Sequence, residues 1–168
     1  LSKTVEGTAL AAYLSELTIT LAPEPPESAD CLRLLLNTLY MTAEQKRPLR
    51  QLKAIYEMRT MTQAGYMPGV LACDVCARYD GCDFYLDPVA GRLLCADCAA
   101  KTDGLPLSAG MLAALRHIHT SPVERAFRFR LPEPTLAALA EVSERFLLHQ
   151  LGRGFRTLDF YHSLQGFG

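Results

Sequence analysis

Apolar residues recur at helical spacing near the start of the chain and predict two helices. Four of them fall on one face of "LAAYLSELTITLA": Leu10, Tyr13, Leu14 and Leu17. The prolines of "APEPPESAD" are expected to end this helix, and Ser28 and Asp30 are candidate caps for a second helix, "CLRLLLNTLYMTA". That second helix is apolar nearly all round, so we expect it to lie at the centre of the fold.

A third helix is predicted from about Glu44 to Ala64, where "GYMPG" ends it. Its apolar side comprises Leu49, Leu52, Ile55, Tyr56 and Met61. Lys46, Arg50 and Lys53 follow one another at three- and four-residue spacing, so they are expected to share another side.

The second half of the chain predicts two further helices with an extended segment between them. "LSAGMLAALRHIH" has Ser108 as its cap and, facing inward, Met111, Leu112, Leu115 and Ile118. The second helix, "PEPTLAALAEVSERFLLHQLG", is expected to face inward with Leu136, Leu139, Ala140, Phe146 and Leu147. In "ERAFRFRL", apolar residues alternate with Arg128 and Arg130, which predicts extended chain with one basic, solvated side.

These elements predict a mainly α fold, a helical bundle with an inserted cysteine-rich finger. Residues 1–68 and 104–168 would form the helical domain and residues 69–103 the insertion. The 168 residues contain no run of about 18 apolar residues, so no membrane span is expected. The sequence begins with Leu1 rather than methionine, and we expect a processed product or an excised piece of a longer protein.

The net charge of -1 conceals alternating acidic and basic stretches. Residues 1–45 carry 2 positive and 6 negative charges, and residues 73–103 carry 3 and 6. Residues 46–59 carry 5 positive and 1 negative, and residues 116–156 carry 7 and 4. A basic patch can bind an anionic partner when the total charge is near zero, but each stretch can equally be a solvated helix face.

Five of the six cysteines lie in "CDVCARYDGCDFYLDPVAGRLLCADC". Cys73 and Cys76 are separated from Cys95 and Cys98 by 18 residues, a spacing typical of zinc sites built from two C-x2-C turns. Disulfides or plain buried thiols are the alternatives, and the absence of a secretion signal favours a reducing compartment and metal. Because four cysteines fill a tetrahedral site, no position would remain for an activated water, and the zinc would be structural.

Turn-forming residues between the two cysteine pairs predict a short hairpin. Gly81, Pro88 and Gly91 flank the apolar run "FYL", and the second C-x2-C turn follows "GRLLC". Cys82 lies off the paired spacing and is expected to be a spare, buried or partly exposed thiol. Cys31, in "CLRLLL", is expected to be a core residue.

Nothing in the sequence indicates catalysis. It has no nucleotide-binding loop, no H-E-x-x-H motif and no G-x-S-x-G turn. His117 and His119 are two residues apart, so a helix would point them in different directions. We therefore expect a protein that is not an enzyme.

Two long stretches, "YEMRTMTQAGYMPGVLACDVCA" and "FYLDPVAGRLLCADCA", resemble the RecO family of bacterial recombination-repair mediators. In that family a helix ending in a Gly-Tyr-x-Pro turn leads into the first C-x2-C turn. The closing "FLLHQLGRGFRTLDFY" is similar to the family's C-terminal helix and basic-aromatic ending, and "AAYLSEL" to its first helix after the N-terminal domain. The resemblance covers nearly the whole chain.

The resemblance implies a non-enzymatic, cytoplasmic and nucleoid-associated protein of the bacterial DNA-damage response. Such proteins carry an N-terminal OB-fold and a helical domain with a structural zinc finger. They bind single- and double-stranded DNA, anneal strands, contact RecR and the C-terminal tail of the single-stranded-DNA-binding protein, and help to load RecA; no membrane or small-molecule substrate is involved. By resemblance the zinc ligands are Cys73, Cys76, Cys95 and Cys98. The family's OB-fold is expected to be absent from this chain.

Nine basic residues are the candidate DNA contacts, because Lys and Arg neutralise phosphates and release counterions. They are Lys46, Arg47, Arg50, Lys53, Arg125, Arg128, Arg130, Arg153 and Arg156. Two alternatives remain open: a zinc-stabilised protein-interaction module without direct DNA contact, and a redox switch in which Cys82 reacts beside the zinc site.

Overall fold

The computed structural model describes residues 4–21, 28–66, 68–99 and 103–165. Within these ranges the fold is mainly α, as predicted, with one small antiparallel sheet. The elements are α1 (Val5–Leu21), α2 (Ser28–Ala43), α3 (Leu49–Gln63), β1 (Phe84–Asp87), β2 (Arg92–Cys95), α4 (Ala96–Ala99), β3 (Leu105–Leu107), α5 (Ala109–Thr120), α6 (Val123–Ala126), α7 (Glu133–Leu151) and α8 (Arg156–Gln165). None of the described helices is both long and apolar enough to cross a membrane.

Helix α3 is the central element, packed against α1, α2, α5 and α7. It begins at Leu49, five residues later than predicted, because Pro48 takes the N-cap position. The preceding turn contains Gln45 with a left-handed φ of 52°, so Lys46 and Arg47 lie in a loop before the helix. The basic side predicted for one helix is therefore divided between loop and helix.

Helix α2 is not central, contrary to prediction. Cys31 and Leu34 are 5% and 0% exposed and face the bundle, which confirms Cys31 as a core residue. On the outer side, Leu32, Leu36 and Tyr40 are more than half exposed. The prolines expected to separate α1 from α2 fall in residues 22–27, outside the described ranges.

The predicted inward faces of the other helices are confirmed. The four apolar residues predicted for α1 are 0% exposed, and the helix packs against α8, α2 and α3. The inward sets of α5 and α7 are likewise buried. Ser108 caps α5, as predicted, its Oγ accepting a hydrogen bond from the backbone N–H of Met111 at 3.3 Å.

The hairpin predicted between the cysteine pairs is formed by β1 and β2, with Phe84 opposite Cys95. Strand β3, which no sequence pattern predicted, pairs with the other edge of β1 and places Leu107 opposite Phe84. The strand order is β2-β1-β3. A run of three residues, "LPL", is too short to show the alternation by which strands are recognised.

The remaining differences between the predicted and the observed elements lie after α5 in the chain. "ERAFRFRL" forms the short helix α6 followed by irregular chain, although its alternation holds: Phe127 is 1% exposed and Phe129 partly buried, while Arg128 and Arg130 are exposed. The basic and aromatic ending contains helix α8, which packs against α1. Leu158 and Tyr161 form its buried side.

Candidate metal centre and nucleic-acid interface

The first C-x2-C turn is shaped by its backbone. The Cys73 N–H donates to the Arg78 carbonyl, and the Ala77 N–H donates to the Cys73 carbonyl, both at 2.8 Å. Ala77 adopts a left-handed φ of 58°, which reverses the chain just after Cys76. The two thiols are thereby directed to one side of the turn.

The second pair of cysteines comes from the sheet and the short helix after it. Cys95 is the last residue of β2, and Cys98 lies in α4. Between the two turns, the Arg78 guanidinium donates to Asp97 Oδ2 at 2.6 Å. Strand β2 also holds the first turn, since the Asp74 N–H donates to the Leu93 carbonyl at 2.8 Å.

The four sulfurs of Cys73, Cys76, Cys95 and Cys98 lie within 4.8 Å of one another. The Sγ atoms of Cys76 and Cys95 are 3.6 Å apart. Zn–S bonds of about 2.3 Å in a tetrahedron place neighbouring sulfurs about 3.8 Å apart. The donor set and its dimensions are therefore compatible with a zinc-binding site that has no open position.

The pKa values of the thiols also favour a bound cation. Burial, the largest single cause, raises the pKa of Cys73, but backbone N–H groups of Cys95, Cys76 and Val75 together lower it to about 6. At Cys98, hydrogen bonding with Cys95, burial and the other two thiols raise the pKa to about 12. Four thiolates cannot share this space unless a positive ion offsets their charges. A bound Zn²⁺ would offset them.

Arg116 of α5 fixes the finger to the helices. Its guanidinium donates to the carbonyls of Val70 at 3.1 Å, Leu71 at 2.8 Å and Tyr79 at 2.6 Å. It also lies 3.9 Å from the centroid of the Tyr79 ring. Arg116 is not among the residues that the sequence predicts for the site, because a lone arginine on an amphipathic helix carries no signal of what lies across from it.

A cleft of about 300 Å³ combines basic residues from two separate parts of the chain. Lys46 and Arg47 precede α3, and Arg130 precedes α7. The segments are joined by hydrogen bonds: the Arg47 Nε donates to the Phe127 carbonyl at 2.9 Å, and the Gln51 amide donates to the Phe129 carbonyl at 2.9 Å. The cleft therefore presents positive charge held on a defined backbone.

Lys53 is not available for a phosphate contact, and its inclusion among the DNA candidates needs correction. Its side chain is 3% exposed, and Nζ lies 2.7 Å from Glu57 Oε1 and 2.6 Å from Glu144 Oε2. Glu57, itself 0% exposed, also accepts hydrogen bonds from Tyr13 at 2.8 Å and Ser143 at 2.7 Å. Helical spacing placed Lys53 beside Arg50 but could not show that α7 covers this turn of α3.

The other candidate DNA contacts differ in exposure and in the groups that they contact. Arg50 is 41% exposed and pairs with Glu133 at 2.8 Å. Arg153 lies 5.1 Å from the Phe155 ring centroid. The exposed candidates outside the basic cleft are Arg125, Arg128, Arg153 and Arg156.

A second cleft, of about 210 Å³, lies between α3, α7 and α8. Arg50 and Lys53 line its α3 side, and Ala140 and Tyr161 contribute apolar surface. His162, also in the lining, lies 2.9 Å from the carboxylate of Glu144. Because Lys53 is held by its two carboxylates and Glu141 is also in the lining, the cation that this cleft offers beside the apolar surface is Arg50.

A family model and the individual relatives point to the same family of proteins. A family model described as Recombination protein O C terminal matches residues 3–159. A protein named DNA repair protein RecO from Acetivibrio thermocellus is 29% identical over 161 residues, covering 95% of this chain and 64% of the relative. Proteins of the same name from Symbiobacterium thermophilum and Roseiflexus sp. are 27% and 30% identical, with 94% and 93% of this chain and 64% and 56% of the relative covered. The chain thus spans less than two thirds of the length of these relatives.

Proposed function

The chain belongs to the Recombination protein O C-terminal family, and from that premise we propose that it is the helical, zinc-binding portion of a non-enzymatic mediator of recombinational DNA repair. The observation that carries the DNA-binding part is the basic cleft formed by Lys46, Arg47 and Arg130. These residues come from segments more than eighty positions apart in sequence, yet line one concave surface. Glu133 also lines this surface, so its formal charge is +2, and a concave surface with a net positive charge concentrates the field that attracts polyanions.

In this proposal the cleft binds the phosphate backbone of DNA without reading its sequence. Lys46, Arg47 and Arg130 neutralise phosphates and release counterions, and the exposed Arg125 and Arg128 on the same segment extend the contact. Two strands held close together in this way can pair, which is the basis of annealing. The wider activity, including contact with RecR and assistance in loading RecA, belongs to the complete mediator.

We further propose that Zn²⁺ occupies the four-cysteine centre and has a structural role. Cys73, Cys76, Cys95 and Cys98 would all be ligands, so that zinc binding contributes directly to the folding of residues 69–103 as an insertion in the helical domain. Residues 73–103 include 3 basic and 6 acidic residues. The finger would therefore support DNA binding by positioning other parts of the domain and not by contacting phosphates itself.

The DNA proposal is tested by fluorescence anisotropy of a labelled oligothymidine with this chain, between about 50 and 200 mM salt. Each single-strand phosphate contact contributes about 0.7 to the slope of log K against log salt. Replacing Lys46 and Arg130 together by glutamine should therefore reduce the slope by about 1.4. The matched control is Arg145→Gln, because Arg145 is 56% exposed and outside the basic cleft.

An unchanged slope in the Lys46/Arg130 double variant would remove the cleft from the DNA interface. A reduction in the Arg145 control of about half that in the double variant would show only a general effect of net charge, because the control removes one charge and the double variant two. The expected result is a reduced slope in the double variant and a parental slope in the control.

The second cleft favours an additional protein-binding function. The Arg50 guanidinium beside Ala140 and Tyr161 suits a peptide that ends in apolar residues and a carboxylate, such as the tail of the single-stranded-DNA-binding protein. Anisotropy of a labelled tail peptide should show saturable binding that weakens with salt and with Arg50→Gln. If the peptide binds while the DNA slope does not depend on the basic cleft, the chain acts as a protein-interaction module.

A further inference from the structure

An exposed aromatic side chain lies beside the basic cleft. Tyr40, in the last turn of α2, is 56% exposed. Its hydroxyl accepts a hydrogen bond from the Lys46 Nζ at 2.8 Å, and the same Nζ lies 4.4 Å from the centroid of the ring. Lys46 is also one of the residues that line the basic cleft. The ring is therefore joined directly to the cationic lining of the cleft.

The turn that follows α2 fixes this arrangement. The Glu44 N–H donates to the Tyr40 carbonyl and the Lys46 N–H donates to the Met41 carbonyl, both at 3.0 Å. Between these two donors Gln45 adopts a left-handed φ of 52°, which folds the chain back against the end of the helix. The aromatic ring and the ammonium are thus neighbours because a hydrogen-bonded turn holds their backbones together.

The aromatic surface of Tyr40 is open to a planar ligand. The Lys46 ammonium is closer to the hydroxyl than to the ring centroid, so it lies toward the hydroxyl end of the ring. More than half of Tyr40 is exposed, so a flat group can reach the ring. Glu44 is also exposed and lies one turn further along the chain, which makes this side of the turn less favourable for a phosphate than for an uncharged group.

We propose that Tyr40 stacks on an unpaired base of a DNA strand whose phosphates lie in the basic cleft, an inference that rests on the DNA-binding function proposed above. A cationic groove beside an exposed aromatic ring holds single strands in this way, because the groove follows the phosphates and every base has a π face. The described residues that line the cleft include no aromatic side chain. Tyr40 therefore supplies the stacking surface that the cleft itself lacks.

This contact makes the site favour single strands over duplexes. The phosphates of either form can reach Lys46, Arg47 and Arg130. In a duplex, however, the bases are stacked on one another and present only their edges in the grooves, so a surface ring has no free base face to cover. The ring detects that a base is unpaired but not which base it is, because stacking tolerates every sequence.

Anisotropy with three labelled probes separates the stack from the phosphate contacts: an oligothymidine, an abasic oligomer of the same length and a duplex of the same length. Tyr40→Leu should weaken binding of the oligothymidine by about fivefold or more, which is the lower end of the effect of one stacked base. Binding of the other two probes and the salt slope should stay at parental values, because no phosphate contact is lost. Tyr40→Phe keeps the ring and should bind all three probes as the parent does. The control is Phe160→Leu, which alters a side chain on α8 that is 53% exposed and should change none of the three affinities.

Fluorescence tests the stacking directly. The sequence contains no tryptophan, so Tyr40→Trp introduces a single one. Its emission should be quenched when the oligothymidine binds, and much less when the abasic oligomer binds at equal saturation, because only the first probe brings bases to the ring. Position 40 is more than half exposed, so a parental circular dichroism spectrum is expected for each variant.

The failure of this inference is distinct from the failure of the proposed function. If Tyr40→Leu binds the oligothymidine as tightly as the parent does, the stack is excluded, while a reduced salt slope in the Lys46/Arg130 double variant would still support the cleft. If Tyr40→Leu and Tyr40→Phe weaken all three probes alike, Tyr40 acts only by holding Lys46, and stacking is again excluded. A base-dependent loss in Tyr40→Leu with an unchanged slope in the double variant would support the stack and remove the cleft. A parent that binds none of the probes would overturn both.

Discussion

Removing the buried ammonium of Lys53 should destabilise the protein far more than loss of a surface lysine would. In Lys53→Met the helix keeps an unbranched side chain of similar length, so the change removes mainly the charge. Glu57 is 0% exposed and Glu144 has a side chain 19% exposed, and both carboxylates lie within 2.7 Å of the lysine Nζ. The variant would leave two neighbouring carboxylates without their shared cation.

The magnitude follows from the burial of the pair. Loss of one partner from a buried ion pair costs about 3–5 kcal/mol, because the other charge is left without compensation. Tyr13 and Ser143 still donate hydrogen bonds to Glu57, which places the expected loss near the lower limit, at about 3 kcal/mol. An exposed lysine would contribute about 0–1 kcal/mol.

The loss should also depend on pH. Burial, as the largest cause, raises the pKa of Glu57, and Lys53 opposes that rise. Without Lys53 the folded-state pKa of Glu57 rises further above its unfolded value. The folded variant then binds a proton that the unfolded chain has released, so its stability falls as the pH rises through that interval. The difference between parent and variant should therefore be smaller at about pH 5 than at about pH 8.

Urea denaturation followed by circular dichroism measures this difference directly. The companion variant Lys53→Met/Glu57→Gln removes both charges and should recover at least half of the lost free energy. Lys46→Met, at an exposed position in the preceding loop, is the matched control and should change stability by less than about 1 kcal/mol. A Lys53→Met variant as stable as that control at both pH values would refute the assignment of a buried charge network.

Three other changes test separate parts of the structure. Cys95→Ser should lose bound zinc, measured by elemental analysis, and lose protection of residues 69–99 from hydrogen exchange; retention of metal and melting temperature would show that the ligand set is wrong. Arg116→Met should lower the free energy of unfolding by about 2–3 kcal/mol and increase exchange in residues 69–79, because three carbonyls lose a charged donor. Arg116→Lys should recover only part of this, since an ammonium cannot reproduce a planar guanidinium stacked on Tyr79, and full recovery would contradict that geometry. Ser108→Ala should cost about 1 kcal/mol in urea denaturation through loss of the helix cap, whereas Ser108→Asn should be close to neutral and a neutral alanine variant would show that the cap is not used.

Local patterns in the sequence were sufficient for the inward faces of the long helices α1, α5 and α7 and for the cysteine cluster, but not for α6 or the position of α2. Helical periodicity located the buried faces of α1, α5 and α7, because each of these helices has one side toward the core. The two C-x2-C turns and the turn formers between them located the hairpin and the four sulfurs now found within 4.8 Å. These features depend on residues close together in sequence, where spacing alone fixes direction.

Tertiary structure decided everything that depends on which surfaces meet. Periodicity placed Lys53 among basic residues, but packing by α7 made it the centre of a buried ion network. The apolar composition of α2 predicted a central helix, but α3 took that position and left Leu36 and Tyr40 in solvent. Likewise, Lys46 and Arg130 form one cleft only because the chain returns to the start of α3. The physical reason is that a side chain's burial and charge environment are set by elements distant in sequence, and a local pattern does not contain them.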